Sequence, residues 1–363
     1  MPESFLLSRV LIRFNGKADE PLSQDLSAAA LTPDGSLWVG SDETRTIERL
    51  SPVEPYIFSK HQQFFVKDFI DLADPEGEID IEGMDYTNHY LWFIGSHSTK
   101  RKKIKGKDLE KDLDKLATIK FEPNRYLLAR IPVVKGELVK SVSHPEQPDK
   151  KLTAACLQKI GNSNVLIEAL KQDRHLGAFL TTSIPSKENG FDIEGLAIRG
   201  DRIFIGLRGP VLRGWAIILE VEVAETEPGI LTLKKIGKDG KQYKKHFVEL
   251  NGLGVRELCL DGEDLIVLAG PTMDLEGALR VFRLKNALQR DENSISWQKE
   301  GDLEVLFDLP FRFGSDHAEG LALFPCLGQP NSLMVVYDSP DENRVVKPNG
   351  IFADVFSLKS LPC

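Results

Sequence analysis

The feature that most limits how this chain can fold is a short segment that returns five times along it. In its fullest form an apolar residue precedes Glu-Gly, a second apolar stretch, a turn, and then an apolar strand ending in small residues. Ile81-Glu82-Gly83-Met84 leads through Thr87-Asn88-His89 to Leu91-Trp92-Phe93-Ile94-Gly95-Ser96. Ile193-Glu194-Gly195-Leu196 leads through Gly200-Asp201 to Ile203-Phe204-Ile205-Gly206-Leu207. Arg256-Glu257-Leu258-Cys259-Leu260 leads through Asp261-Gly262 to Leu265-Ile266-Val267-Leu268-Ala269-Gly270. Ala318-Glu319-Gly320-Leu321 reaches Leu333-Met334-Val335-Val336-Tyr337 after a longer turn. A first copy, Ala28-Ala29-Ala30-Leu31, turns at Pro33-Asp34-Gly35 toward Leu37-Trp38-Val39-Gly40-Ser41 and lacks the glutamate.

The copies begin at residues 28, 82, 194, 257 and 319, at spacings of 54, 112, 63 and 62 residues. Apolar runs on either side of a Gly, Asp or Asn turn read as hairpins. Runs at Tyr126–Ile131, Trp215–Val221 and Leu279–Leu284 supply a third strand in three copies. Repeats of this length built from strands describe a propeller. The expected fold class is therefore all-β: a β-propeller with five motif-bearing blades and short helical insertions, in one domain over residues 1–363. A sixth blade would fit inside the 112-residue step. The last run, Gly350–Phe356, needs an outer neighbour, and the Phe5–Phe14 segment is expected to supply it and close the ring.

Two stretches interrupt the pattern. Residues 99–124 are strongly charged and helix-prone, and fall between the second and third strands of the second blade. Residues 150–178 contain two short helical stretches, one opening at Asn162-Ser163-Asn164 and running through Val165–Leu170. Both are too short for cores of their own and read as excursions from the propeller.

Net charge of −9 disfavours nucleic acid, whose phosphates attract basic surfaces. The four cysteines form no C-x-x-C pair, the N-terminus lacks the marks of a signal peptide, and no apolar run is long enough to span a bilayer. These features predict a cytoplasmic protein with free thiols and no membrane contact. The chain has no Gly-x-Ser-x-Gly elbow, P-loop, His-Glu-x-x-His or dinucleotide fingerprint.

In a blade the first strand lines the channel and runs antiparallel to the second. The starts of the first strands and the ends of the second therefore share one mouth. This predicts Glu82, Glu194, Glu257 and Glu319 together, with Asp42, His97, Arg208 and Asp338 beside them. Asp80, Asp192, Asp316, Arg256 and His317 lie adjacent in sequence. Crowded carboxylates cannot all stay ionised and unpaired. A bound cation, pairing to Arg208 or Arg256, or protonation would relieve them. Oxygen donors without thiols suit Ca²⁺, Mg²⁺ or Mn²⁺, so Glu82, Glu194, Glu257, Glu319 and Asp338 are the expected metal ligands. Glu194, Arg208 and His97 are the expected catalytic residues, with Arg208 gripping an anion and His97 acting as a base. The competing reading is structural: a glutamate at a strand start accepts backbone N–H groups of the next blade, and the glycine after it permits close approach.

The segments DIEGMDYTNHYLWFIGSHS, DIEGLAIRGDRIFIGLRGPVLRGWAIILEV, LIVLAGPTMDLEGALRVFRL and HAEGLALF resemble an uncharacterised bacterial β-propeller family, a domain of unknown function, through most of the chain. The Glu-Gly pattern is more distantly similar to the phytase-like and esterase-like propellers. That second resemblance implies a metal-binding propeller acting on phosphoesters or other esters, although the dense aspartate clusters of calcium phytases are missing here. Three functions follow as expectations. One is a divalent-metal hydrolase of a phosphoester, ester or lactone at the channel mouth. Another is a non-catalytic propeller binding a small anionic molecule or a protein partner there. The third is a scaffold that docks a partner through the segment around Lys100-Arg101-Lys102-Lys103.

Overall fold

The computed structural model describes residues 5–15, 22, 24–310 and 312–359. Each repeat opens a four-stranded antiparallel sheet. Blade 1 comprises Leu26–Leu31, Leu37–Ser41, Thr46–Glu54 and Ile57–Phe65. Blade 2 comprises Ile81–Thr87, Tyr90–Gly95, Leu128–Val134 and the short Ala155–Leu157. Blade 3 runs Asp192–Arg199, Arg202–Leu212, Trp215–Glu227 and Lys244–Val248. Blade 4 runs Gly254–Asp261, Asp264–Gly270, Arg280–Leu284 and Leu303–Asp308. Blade 5 takes His317–Cys326, Gln329–Asp338 and Gly350–Ser357 from the C-terminal end and Leu6–Arg13 from the N-terminal end.

The closure expected from the sequence is present. Leu6–Arg13 pairs antiparallel with Gly350–Ser357, placing Leu11 opposite Phe352. Each inner strand also lies against the inner strands of the blades on either side, with blade 5 against blade 1. The 112-residue step holds no further four-stranded sheet among the described residues. It contributes two-stranded ribbons and the fourth strand of blade 2.

The hydrophobic core is divided in the same cyclic way. Trp38 and Ile47 of blade 1 pack with Ile81, Phe93 and Ile131 of blade 2. Ile94 and Leu128 of blade 2 pack with Ile193 and Ile205 of blade 3. Phe204 and Ile218 meet Val267 and Phe282 across the next boundary, Leu268 and Val281 meet Leu333 and Tyr337 across the fourth, and Met334 and Val355 meet Ala29 and Val39 across the fifth. A second strand therefore faces another blade on both sides. That is why Leu37–Ser41 and Tyr90–Gly95 are buried at every residue and read as unbroken apolar runs. Each fully buried side chain of this size contributes about 1.5–3 kcal/mol.

The excursions dock locally. Asp108 caps a helix over Leu109–Ala117 inside the first, and a ribbon of Lys100–Arg101 with Ile119–Lys120 closes its base. In the second, Asn164 caps Val165–Leu170 by accepting from Leu166 N–H and Ile167 N–H, and a further helix covers Gly177–Thr181. Cys156, Cys259 and Cys326 are free thiols, and Cys363 lies outside the described residues. No helix among the described residues is long and apolar enough to cross a membrane.

Candidate active site at the channel mouth

The inner strands share one irregularity. Their pairing register jumps between Leu26 and Ala28, Ile81 and Gly83, Ile193 and Gly195, Val255 and Glu257, and Ala318 and Leu321. The residue set out of the ladder is Ser27, Glu82, Glu194, Arg256 and, with Gly320, Glu319. A bulge re-aims its side chain. Here Glu82, Glu194, Arg256 and Glu319 all point into one cavity of about 340 Å³, joined there by Asp42, Asp80, Asp192, Arg208, His317 and Asp338.

Glu257 does not reach this cavity, which corrects its expected place among the metal ligands. In blade 4 the bulge falls one residue earlier, so Arg256 takes the mouth position and Glu257 takes the level held by glycine in blades 2 and 3. Those glycines are sterically required. A Cβ on Gly83 would lie 2.7 Å from Leu196 Cβ, and one on Gly195 would lie 2.9 Å from Leu258 Cγ. Glu257 is wholly buried, and its Oε1 accepts N–H of Leu196 in blade 3 at 2.9 Å and of Leu258 at 2.8 Å. Its role is the structural one, tying two blades together. Burial pushes its pKa well up.

One side of the cavity is a ladder of alternating charge. Arg208 Nη1 donates to Glu194 Oε1 at 2.8 Å and lies 3.7 Å from Asp192, while Arg208 Nε donates to the Thr272 carbonyl at 3.1 Å. Arg256 Nε lies 2.9 Å from the other Glu194 oxygen, and Arg256 Nη2 contacts Glu319. Glu194 is thus held between two guanidiniums, which takes it out of the expected cation ligands. Arg208, expected to grip an anion, already has its Nη1 and Nε in use.

Arg125 stands alongside. Its Nε donates to Asp80 at 2.7 Å and Ser96 at 2.9 Å, while its buried Nη1 has no acceptor among the described residues.

The other side is acidic and unpaired. The carboxylates of Asp42 and Glu82 make no hydrogen bond or ion pair with the described residues. Burial, then Asp80, Glu194, Asp42 and Glu319, pushes Glu82 well above the usual carboxylate range. Asp42 rises to about 7 through burial and then Asp80 and Asp338. Burial likewise raises Glu319 well up against the opposing pull of Arg256, and raises Asp192 to about 7 against Arg208. Asp338 lies 3.6 Å from His317 Nδ1, and this contact raises the histidine's pKa. Among the described residues no group of three or more His, Cys, Asp or Glu side chains is spaced to hold a metal ion as it stands.

His97 is placed elsewhere, which corrects its expected role as a base. Its backbone turns left-handed at φ 52°, folding the ring into the protein, where it is 1% exposed. Nδ1 lies 2.7 Å from the Gly95 carbonyl and Nε2 lies 2.8 Å from Asn164 Nδ2. Burial lowers its pKa to about 4, so at neutral pH an uncharged ring donates to Gly95 and accepts from Asn164. It braces the cap of the Val165–Leu170 helix. Asp316 also turns away, binding Arg344 at 2.7 Å.

Pro271 lines the cavity, as expected of the Gly270-Pro271-Thr272 turn after the second strand, whereas Arg125, Lys187 and the rest of that loop up to Leu279 were not read from the sequence. A signal for Arg125 exists: Asn124-Arg125 recurs as Asn343-Arg344, each before a third strand. Each arginine binds a left-handed aspartate just ahead of an inner strand, Asp80 at φ 62° and Asp316 at φ 58°.

Cyclically packed blades around a channel with a charged mouth define a β-propeller. Within that class the chain belongs to the DUF3616 family of proteins of unknown function, which it matches over residues 25–354. No curated protein matches the chain. Among solved structures it is similar to the PQQ-bound aldose sugar dehydrogenase of Streptomyces coelicolor, with 12% identity over 97% of this chain and 99% of that one, at a TM-score of 0.38. It is also similar to virginiamycin B lyase of Staphylococcus aureus, with 9% identity over 97% and 100% of the two chains and a TM-score of 0.37. A luciferin-regenerating enzyme gives 11% identity over 97% and 96%, at 0.37. Likeness at this level transfers no activity.

Proposed function

We propose that the channel mouth binds a small oxyanionic ester (a phosphoester, carboxylic ester or lactone) and hydrolyses it with a divalent cation, Ca²⁺, Mg²⁺ or Mn²⁺, on the acidic side of the cavity. One observation carries the reading: Asp42 and Glu82 make no direct ion pair with the described residues, while the neighbouring Arg125 keeps a buried donor without an acceptor among them. A cation and an anion entering together would satisfy both. Asp42, Glu82 and Asp338 would hold the ion, and their oxygen-only chemistry suits a hard cation. When bound, such an ion polarises a carbonyl or phosphoryl oxygen.

The chain's own residues supply the remainder. Arg125 Nη1 and Lys187 receive the anionic end of the substrate, and Arg208 and Arg256 fix Glu194 and Glu319 in place. Burial and its acidic neighbours raise the Glu82 pKa, so a cation binding there competes with a proton.

The reading is tested by titrating each cation into the intact protein and its Glu82→Gln variant, alongside turnover of a phosphoester, ester and lactone panel. Saturable binding weakened by Glu82→Gln, with turnover of one class, supports it. No binding and no turnover overturn it. The ladder favours a second reading, a non-catalytic receptor for the same anion, because Glu194, Arg208, Arg256 and Glu319 are all committed to ion pairs. Binding without turnover selects that reading.

A further inference from the structure

We propose that a cleft between blades 2 and 3, on the face opposite the mouth, is a second ligand site that takes a small oxyanion, phosphate or carboxylate. The cleft measures about 540 Å³. It is lined by the turns that join inner and second strands, at Asn88-His89 in blade 2 and Gly200-Asp201 in blade 3, so it lies at the far end of the strands that open on the mouth. A hairpin of Ser141–Ser143 with Lys151–Thr153 brings His144 and Lys150 over it.

Arg130 and Trp92 form its floor. The Arg130 guanidinium lies 4.2 Å from the Tyr90 ring centre and 5.5 Å from that of Trp92, and one end is tied to Glu225. Trp92 is 4% exposed. Arg130 Nε and Trp92 Nε1 are both buried, and both lack an acceptor among the described residues. Neither nitrogen has a lone pair to offer, so the missing partner must accept hydrogen bonds. Two orphaned buried donors close together are costly to keep in a fold.

The surrounding charge favours an anion as that acceptor. Asp201 is already paired with Lys234 at 2.8 Å, and Glu225 also accepts Gly229 N–H at 3.2 Å. Lys150 and Lys151 make no ion pair with the described residues, which leaves two free cations against Glu146 at the hairpin tip. His89 and His144 stack edge to face with ring centres 5.0 Å apart, adding two further nitrogen-bearing rings to the wall. Donors below, ammonium groups above and room for more than one water together describe a pocket for an oxyanion. This site is independent of the reading of the mouth.

The indole N–H of Trp92 is the natural reporter. The intact ¹⁵N-labelled protein is titrated with inorganic phosphate, with citrate, and with sodium chloride at matched ionic strength. The Trp92 signal is assigned by its loss in Trp92→Phe. A saturable shift with phosphate or citrate that chloride does not reproduce is expected, and the stronger of the two identifies the ligand group. The double variant Lys150→Ala/Lys151→Ala, on the exposed hairpin, is expected to weaken binding about fivefold with unchanged Tm. A signal that stays fixed in both titrations, or follows chloride equally, overturns the proposal and means that water fills the two donors. An unchanged Kd in the double variant overturns it as well.

Discussion

Arg256 stands in blade 4 where Glu194 stands in blade 3, and the two side chains meet across the blade boundary with Arg256 Nε 2.9 Å from Glu194 Oε2. Around the ring the five bulge positions read Ser27, Glu82, Glu194, Arg256 and Glu319. The single arginine touches the glutamate on each side of it. Glu82, two blades away, receives no such partner. This single reversal of charge explains why the electrostatic strain of the mouth gathers on Glu82 and the nearby Asp42.

Removing the arginine should cost stability. Breaking a buried pair leaves its partner charged and unmatched, at about 3–5 kcal/mol. Arg256→Ala is expected to lose about 3 kcal/mol in urea denaturation and Arg256→Glu more. A change below about 0.5 kcal/mol would mean that the ladder is incidental.

The pH dependence follows from the acidic side. Asp42 titrates near 7 in the folded protein against an ordinary value of 3.8. Between those values the folded state holds a proton that the unfolded chain has released, so stability falls as pH rises from about 4 to 7. Glu82 and Glu319 shift in the same direction and steepen the decline. Urea midpoints should therefore be higher at pH 5 than at pH 8, and Asp42→Asn should flatten the difference. A midpoint that rises over this range contradicts the assignment.

Substituting the unpaired glutamate should divide stability from binding. Glu82→Gln is expected to stabilise the cation-free protein by about 1 kcal/mol at pH 8, by removing a repelled charge, and to lower cation affinity tenfold or more. Glu194→Gln should do the opposite to stability, because it strips both guanidiniums of their partner. Calorimetric titration with thermal melts reads both.

Glu257 should prove indifferent to ligands. Glu257→Gln keeps an acceptor for Leu196 and Leu258 and should stay within about 0.5 kcal/mol of the parent. Glu257→Ala orphans both N–H groups and should cost about 2–3 kcal/mol. Neither should alter what the mouth binds, and a loss of cation affinity in the glutamine variant would return Glu257 to the site.

His97 should leave no trace in a pH profile. Burial takes its pKa down to about 4, so an inflection of binding or turnover near neutral pH should come from other groups of the mouth and persist in His97→Ala. His97→Ala should instead lower Tm by loosening Asn164. An inflection lost in that variant would restore a chemical role.

The propeller was legible because the repeat states it directly. Asp-Ile-Glu-Gly at 80–83 and 192–195 sets the inner strands of two blades, and the partnerless final strand implies the closure by Leu6–Arg13. The site was legible only in part. Matching glutamate to glutamate aligns Glu257 with Glu194. Matching the apolar residues Met84, Leu196, Leu258 and Leu321 instead aligns Arg256 with the glutamates and Glu257 with the glycines, as the bulges do. His97 was misread because strand order places it at the mouth, whereas one left-handed backbone angle turns its ring inward. Arg125 was missed because its marker is a dipeptide seen twice, far from the glutamate motif.

The pairing of Arg9 with Asp354 joins residues 345 positions apart. During synthesis Leu6–Arg13 must wait for Gly350–Ser357. Until then only Leu11 and Ile12 can pair, against Ile57 and Phe58 of blade 1, and the facing hydrophobic flanks of blades 1 and 5 stay uncovered. Contacts so remote in sequence form slowly, and bare strand edges invite neighbouring chains to pair with them. The ring that shelters the finished protein thus closes only once two strands far apart in the chain have met.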